Sequence, residues 1–314
     1  MRILTTPLGA TAELADYPFS SHYLSVPDGD GGRLRIHYLD EGPKTGKPVV
    51  FLHGNPSWSY IWRKQIPAVV AEGFRAIAPD LVGMGLSEKP SELGDYSVAH
   101  HVRWMRSALI ESLGLRDIVF VLHDWGGIIG LRLVAEYPER IAGVAISNTG
   151  LPERDPSEPL PPGPLEASGP FADFQRGARE APVWEPWNML PMCMATPASE
   201  EVCAGYRAPY PDPSLTIGSR AFTQLLPTRP DNPMLPDNWK AWKVLERFEA
   251  PFVTLYSDKD LVAPNGWKGF VERVPGAKGQ PHEILAGGGH FLQEDLPEAY
   301  TAALVAWLRA QVRA

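Results

Sequence analysis

Three short apolar runs leave this chain few folds to choose from: Val49-Val50-Phe51-Leu52, Arg75-Ala76-Ile77-Ala78 and Ile118-Val119-Phe120-Val121-Leu122. None alternates polar with apolar positions. A strand of that kind must be covered on both faces, which is the condition of a parallel strand inside an α/β sheet. The segments near 59–72 and 98–113 between them carry apolar residues at helical spacing. A fourth strand, Ile141–Ser147, follows a helix near 127–137 that Pro138 helps to end. Upstream, His22–Val26 and Leu34–Leu39 flank the turn-rich Pro27-Asp28-Gly29-Asp30-Gly31-Gly32, which predicts an antiparallel hairpin. Strands at Phe252–Tyr256 and His282–Ala286, then a helix from about Pro297 to Val312, complete the alternation of an open α/β sheet.

The middle departs from this pattern. Seven prolines fall between Leu151 and Pro170, and the chain stays proline-rich to about Pro236 with no strand signal. Gln175–Glu180, Ala198–Tyr206 and Ser219–Leu226 read as short helices. Residues 151–225 are therefore expected to be a mostly helical cap, inserted into a core made of 1–150 and 226–314. Phe171, Phe174, Trp184, Trp187, Met189, Met192 and Met194 argue against a disordered linker, because such apolar content requires burial.

Charge and cysteine content narrow the class. A net charge of −8 over 314 residues argues against nucleic acid or an anionic membrane as the main partner. Two cysteines, Cys193 and Cys203, are too few for a disulfide framework or a cysteine-based zinc site. The first residues lack the apolar stretch of a signal peptide, and no run approaches the ~18 apolar residues of a membrane span. A soluble, cytoplasmic protein is expected, a monomer or weak homo-oligomer.

Three positions, each directly after an expected strand, carry the chemistry. Leu122-His123-Asp124-Trp125-Gly126-Gly127 ends one strand and opens a helix. It has the shape of a nucleophile elbow with Asp124 where serine hydrolases carry serine, although Leu122 replaces the motif's first glycine. Alone, such an aspartate reads as an N-cap. Tyr256-Ser257-Asp258-Lys259-Asp260 and Gly287-Gly288-Gly289-His290-Phe291 follow two later strands. The order nucleophile, acid, histidine is that of the α/β-hydrolase fold.

Residue type then sets the reaction. A carboxylate is already ionised at neutral pH and attacks an sp³ carbon directly, leaving an alkyl ester on Asp124. His290 is the expected base for hydrolysing that ester, with Asp260 holding the imidazole and Asp258 as its competitor. The backbone amides of Asn55, in His53-Gly54-Asn55-Pro56, and of Trp125 are the expected oxyanion hole. No cofactor or metal is required. His100 and His101, adjacent on a helix, diverge by about 100° and read as a solvated face rather than metal ligands.

The segments His53 to Tyr60, Ala78-Pro79-Asp80 with Gly83-Met84-Gly85-Leu86-Ser87, His123 to Gly127, and Gly289 to Glu294 resemble the haloalkane dehalogenase family. The resemblance spans nearly the whole chain and is weakest through the cap. It implies a capped α/β-hydrolase that converts an alkyl halide and water to alcohol, halide and a proton. It implies that Trp125 offers its indole N–H to the leaving halide, and it supports Asp260 as the acid. Asn148 stands where other members place a glutamate and cannot replace it. One branch takes a second halide-binding tryptophan from its cap, and that position falls at Phe174, which has no N–H. The side-chain amide of Asn55 is then the expected second donor, with Trp184 and Trp187 as cap alternatives.

An epoxide hydrolase is the rival reading, with Tyr206 and Tyr210 as candidate cap hydroxyls. Asp124 argues against a serine esterase, and Trp125-Gly126-Gly127-Ile128 lacks the arginines with which a fluoroacetate dehalogenase holds a carboxylate. The filled triad argues against a non-catalytic binding protein.

Overall fold

Each apolar run is a buried strand. The computed structural model describes all residues except 15, 170 and 314. Eight strands form one sheet: β1 His22–Pro27, β2 Arg33–Glu41, β3 Pro48–Leu52, β4 Arg75–Pro79, β5 Ile118–His123, β6 Ile141–Ser147, β7 Phe252–Ser257 and β8 Glu283–Leu285. Their order across the sheet is β8-β7-β6-β5-β3-β4-β2-β1. Pairing is parallel from β8 to β4, while β2 runs antiparallel to both β4 and β1.

The absence of alternation in the strands has its cause here. Val50 and Leu52 of β3, with Phe120 and Leu122 of β5, enter a core shared with α2 Val98–Arg106 and α3 Trp125–Glu136. Val49, Phe51, Val119 and Val121 point the other way, onto α1 Ile66–Ala71 and α9 Pro297–Trp307. Successive side chains of a strand face opposite ways, so a sheet with two dry faces needs every position apolar. Truncating a residue such as Phe120 to alanine should cost about 3–5 kcal/mol.

β3 has β4 on one side and β5 on the other, so the chain reverses its direction of travel across the sheet at this strand. Open α/β sheets place their sites at the carboxyl ends of such strands. Leu52 pairs with Leu122, and His123 with Ser147, which brings the loops after β3, β5 and β6 to one level.

Between β6 and β7 no strand occurs among the described residues. The helices of more than one turn there are α4 Phe171–Glu180, α5 Glu200–Arg207, α6 Ile217–Gln224 and α7 Met234–Leu245, followed after β7 by α8 Lys268–Arg273. One expectation needs correction. The segment 59–72 is not one helix but a 3-10 turn, Ser59–Trp62, followed by α1. Pro67 has no N–H to give Arg63, so the helix restarts there. Pro236, read as part of a proline-rich stretch, lies in the first turn of α7, where a missing N–H costs nothing. That helix packs on the core: Trp242 Nε1 donates to the carbonyl of Leu151 at 2.8 Å. No helix among the described residues is long and apolar enough to cross a membrane.

Candidate active site

Asp124 sits at the β5–α3 corner with φ 52° and ψ −126°, in the left-handed half of conformational space. A non-glycine residue is held there only by its surroundings. Thr149 Oγ1 donates to the Asp124 carbonyl at 2.7 Å. Glycine on either side lets neighbouring backbone close in. A Cβ on Gly126 would lie 2.2 Å from the Leu52 carbonyl oxygen, and one on Gly54 would lie 2.0 Å from Asp124 Oδ1.

A backbone amide holds the carboxylate: Asn55 N donates to Asp124 Oδ1 at 2.7 Å. His290 Nε2 stands 3.4 Å from Asp124 Oδ2, and its Nδ1 stands 2.9 Å from Asp260 Oδ1. Burial opposes charge on Asp124, but the hydrogen bond and charge of His290 outweigh it and hold the carboxyl below its usual range. Burial likewise opposes charge on His290. Its two carboxylate partners override that and push the imidazole up to about 9.

Asp260, not Asp258, meets the histidine. Its carboxylate also accepts from the amides of Val262 and Ala263, whereas the exposed Asp258 accepts from Gly287 N. Two positioning roles escaped sequence reasoning. The buried Asn148 amide donates to Ser257 Oγ and to the carbonyls of Gly289 and His290, at 2.8, 3.0 and 2.9 Å. His123 Nε2–H donates to the same His290 carbonyl at 2.8 Å. Asn148 thus binds the strand end before Asp260 to the loop bearing His290. Its φ of 40°, just beyond a strand, is a structural signature that the sequence carried only as an asparagine.

Trp125 packs its indole against Phe222 of α6, with centroids 5.2 Å apart. Asn55 Oδ1 accepts from Ser219 Oγ at 2.6 Å, leaving the amide nitrogen without a partner among the described residues. Trp184 Nε1 donates to Ser219 Oγ at 3.1 Å. Trp187 lies under the Arg207 guanidinium, 5.3 Å from its ring centre. The rival hydroxyls are engaged elsewhere. Tyr206 OH donates to Glu294 Oε1, itself paired with buried Arg63, and Tyr210 OH accepts from Gly85 N. His101 corrects the solvated-face reading: it is fully buried and stacked on Phe222, with centroids 4.4 Å apart. Among the described residues no cluster of three or more His, Cys, Asp or Glu side chains could hold a metal ion.

A family model described as the alpha/beta hydrolase fold matches residues 47–183. A haloalkane dehalogenase of Psychrobacter cryohalolentis is 44% identical over 313 residues, covering 100% of each chain to the nearest per cent. Another, of Mycolicibacterium paratuberculosis, is 40% identical over 99% of each. The chain belongs to the haloalkane dehalogenase family. Among solved structures, the tetrameric haloalkane dehalogenase DpaA of Paraglaciecola agarilytica superposes with TM-score 0.82 at 27% identity, over 99% of each chain. Haloalkane dehalogenase DbeA of Bradyrhizobium elkani superposes with TM-score 0.74 at 27% identity, over 93% of this chain and 98% of its own.

In this haloalkane dehalogenase homologue the cap position expected to hold a second tryptophan is Phe174, packed edge-on to Trp184 at 6.2 Å. The Trp184 indole N–H is spent on Ser219, while the Trp187 ring carries the Arg207 guanidinium over its face.

Proposed function

We propose that this protein hydrolyses haloalkanes through Asp124, His290 and Asp260, with Trp125 and Asn55 holding the halide. The reading is carried by one observation: the elbow presents a carboxylate, pinned through Oδ1 by a backbone amide, whose Oδ2 faces His290. Oδ2 attacks the halogen-bearing carbon, the carbon–halogen bond breaks, and the halide leaves with the bonding pair. The Trp125 indole N–H and the Asn55 Nδ2 amide stabilise the charge developing on it. Water then adds to Cγ of the ester as neutral His290 accepts its proton. Charge collects on Oδ1, against the amides of Asn55 and Trp125, and collapse expels the alcohol with Oδ2. The net change is haloalkane plus water to alcohol, halide and a proton.

Residues 151–225 act as the cap over a core of 1–150 and 226–314. Contacts from Tyr206 to Glu294, from Trp58 Nε1 to the Gly205 carbonyl, and from Ser219 to Asn55 support that division. Two unpaired cysteines, Cys193 and Cys203, suit a reducing, cytoplasmic setting.

The test is halide release from 1-iodobutane and 1,2-dibromoethane beside styrene oxide, followed by one turnover in H2¹⁸O. Halide release, with ¹⁸O appearing in Asp124 and not in the first alcohol formed, is expected. Turnover of the epoxide alone assigns the rival chemistry. Label in that first alcohol means that water attacks carbon directly.

A further inference from the structure

The same hydrogen bonds that occupy Trp184 fix which end of the Asn55 amide faces the halide. An amide offers a donor at one end and an acceptor at the other, and only the donor end stabilises an anion. Trp184 Nε1–H donates to Ser219 Oγ at 3.1 Å, and Ser219 Oγ–H donates to Asn55 Oδ1 at 2.6 Å. An indole N–H cannot accept, so the hydroxyl proton has no use on that side. If the Asn55 amide turned over, two donors would face the Ser219 hydroxyl and its proton would lose its acceptor. Ser219 is fully buried and Asn55 nearly so, so that loss is not made good by water.

Helix α6 is held rigidly enough for this role. A Cβ on Gly218 would lie 2.3 Å from the Gly83 carbonyl oxygen, so the helix backbone rests directly on a core loop. One turn on, Phe222 packs against Trp125, the other halide donor.

We propose that Ser219, fixed by Trp184, is a positioning residue that sets Asn55 as a hydrogen-bond donor to the halide, so that the cap acts on carbon–halogen cleavage without touching the substrate there. This rests on the reading of Asn55 as a halide donor. It replaces the second tryptophan by a relay: the cap indole polarises and orients an amide that belongs to the core.

The experiment is a double-mutant cycle of Ser219→Ala and Asn55→Ala, read by bromide inhibition of turnover and by single-turnover cleavage of 1-iodobutane. Ser219→Ala should weaken bromide binding roughly 2- to 10-fold, the worth of one neutral hydrogen bond, and slow cleavage by a similar factor. Inhibition by 1-butanol, which carries no charge, should stay unchanged, whereas a general loosening of the cap would weaken both inhibitors. In the Asn55→Ala background, Ser219→Ala should add nothing. Trp184→Phe should follow Ser219→Ala in direction with a smaller effect, and Ser219→Thr, which keeps the hydroxyl, should recover bromide affinity. Wild-type bromide binding in Ser219→Ala, or additive effects in the double variant, overturns the relay while leaving Asn55 as a donor. Wild-type bromide binding in Asn55→Ala itself overturns the underlying reading instead.

Discussion

Replacing Asp124 should make His290 much easier to deprotonate, and this coupling explains how one histidine serves two steps. The imidazole has carboxylates on both sides, Asp124 at 3.4 Å and Asp260 at 2.9 Å. Together they overcome burial and raise it from 6.5 to about 9. At ~1.4 kcal/mol per pH unit, that is a preference of a few kcal/mol for the imidazolium. Before reaction the imidazolium does not prevent attack, because an ionised carboxylate needs no base, although its charge beside Oδ2 tempers that oxygen's nucleophilicity. Activating water requires the neutral ring. Alkylation erases the Asp124 charge, and Asp124→Ala reproduces that loss. The histidine midpoint should then fall by about one pH unit or more, since an opposite charge at this range shifts a group by about 1–3. The assay is the ring ¹⁵N and ¹³C signals of His290 from pH 5 to 10, assigned by their absence in His290→Phe. His101 and His123, depressed to about 3 and about 4 chiefly by burial, should stay neutral throughout. A wild-type midpoint at or below 6.5, or no fall in Asp124→Ala, refutes the coupling.

The chemical steps separate in His290→Phe, which should release one equivalent of halide and stop; mass spectrometry should find an alkyl adduct on the Asp124 peptide, and sustained turnover removes His290 from the mechanism. Asn55→Ala and Trp125→Phe should each slow carbon–halogen cleavage by roughly 10- to 100-fold, because each loses a hydrogen bond to a charged group worth about 1.5–3 kcal/mol. Trp187→Phe should leave bromide binding and cleavage at wild-type values, and a loss there relocates a halide donor to the cap. Stability carries the same histidine signature. A folded-state value raised to about 9 means stabilisation that is full below pH 6.5 and lost as pH rises through 9. The urea stability of wild type relative to His290→Phe should therefore shrink across that window, by at most about 3 kcal/mol. A difference that grows with pH contradicts the sign.

The elbow was legible because it is local: strand, tight turn and helix follow one another within a dozen residues, and each leaves its own pattern. Asp260 was legible with help from resemblance, because spacing alone left Asp258 open; the structure sends Asp258 to Gly287 N instead. What the sequence hid depends on residues brought together from far apart. Ser219 meets Asn55 across 164 residues, and Asn148 meets Ser257 across 109. Neither pairing leaves a periodicity to read. His101 failed for another reason. A histidine beside a histidine on a helix looks polar, yet burial holds it neutral, and a neutral imidazole stacks on Phe222 as an aromatic ring. The restart of the helix at Pro67 was misread, because proline forbids a helix interior but not a first turn.

In the proposed mechanism the two oxygens of Asp124 divide the labour. Hydrogen bonds to a nucleophile ordinarily weaken it, since they stabilise charge that must move in the transition state. Here the Asn55 amide is spent on Oδ1, the oxygen that does not attack. It therefore aims Oδ2 at the substrate while taking little from its reactivity. In ester hydrolysis the demand reverses: charge grows on Oδ1, and a donor already in place needs no reorganisation to meet it. A glycine at 54 is the condition for this, because any Cβ there would occupy the space of Oδ1 itself. In the proposed mechanism Asn55 then works at both ends, its backbone amide on the acyl oxygen and its side-chain amide toward the halide. That second task needs a fixed amide orientation, and the only side chain hydrogen-bonded to its Oδ1 among the described residues comes from the cap. On that reading, cap and core are joined through the chemistry as well as through packing.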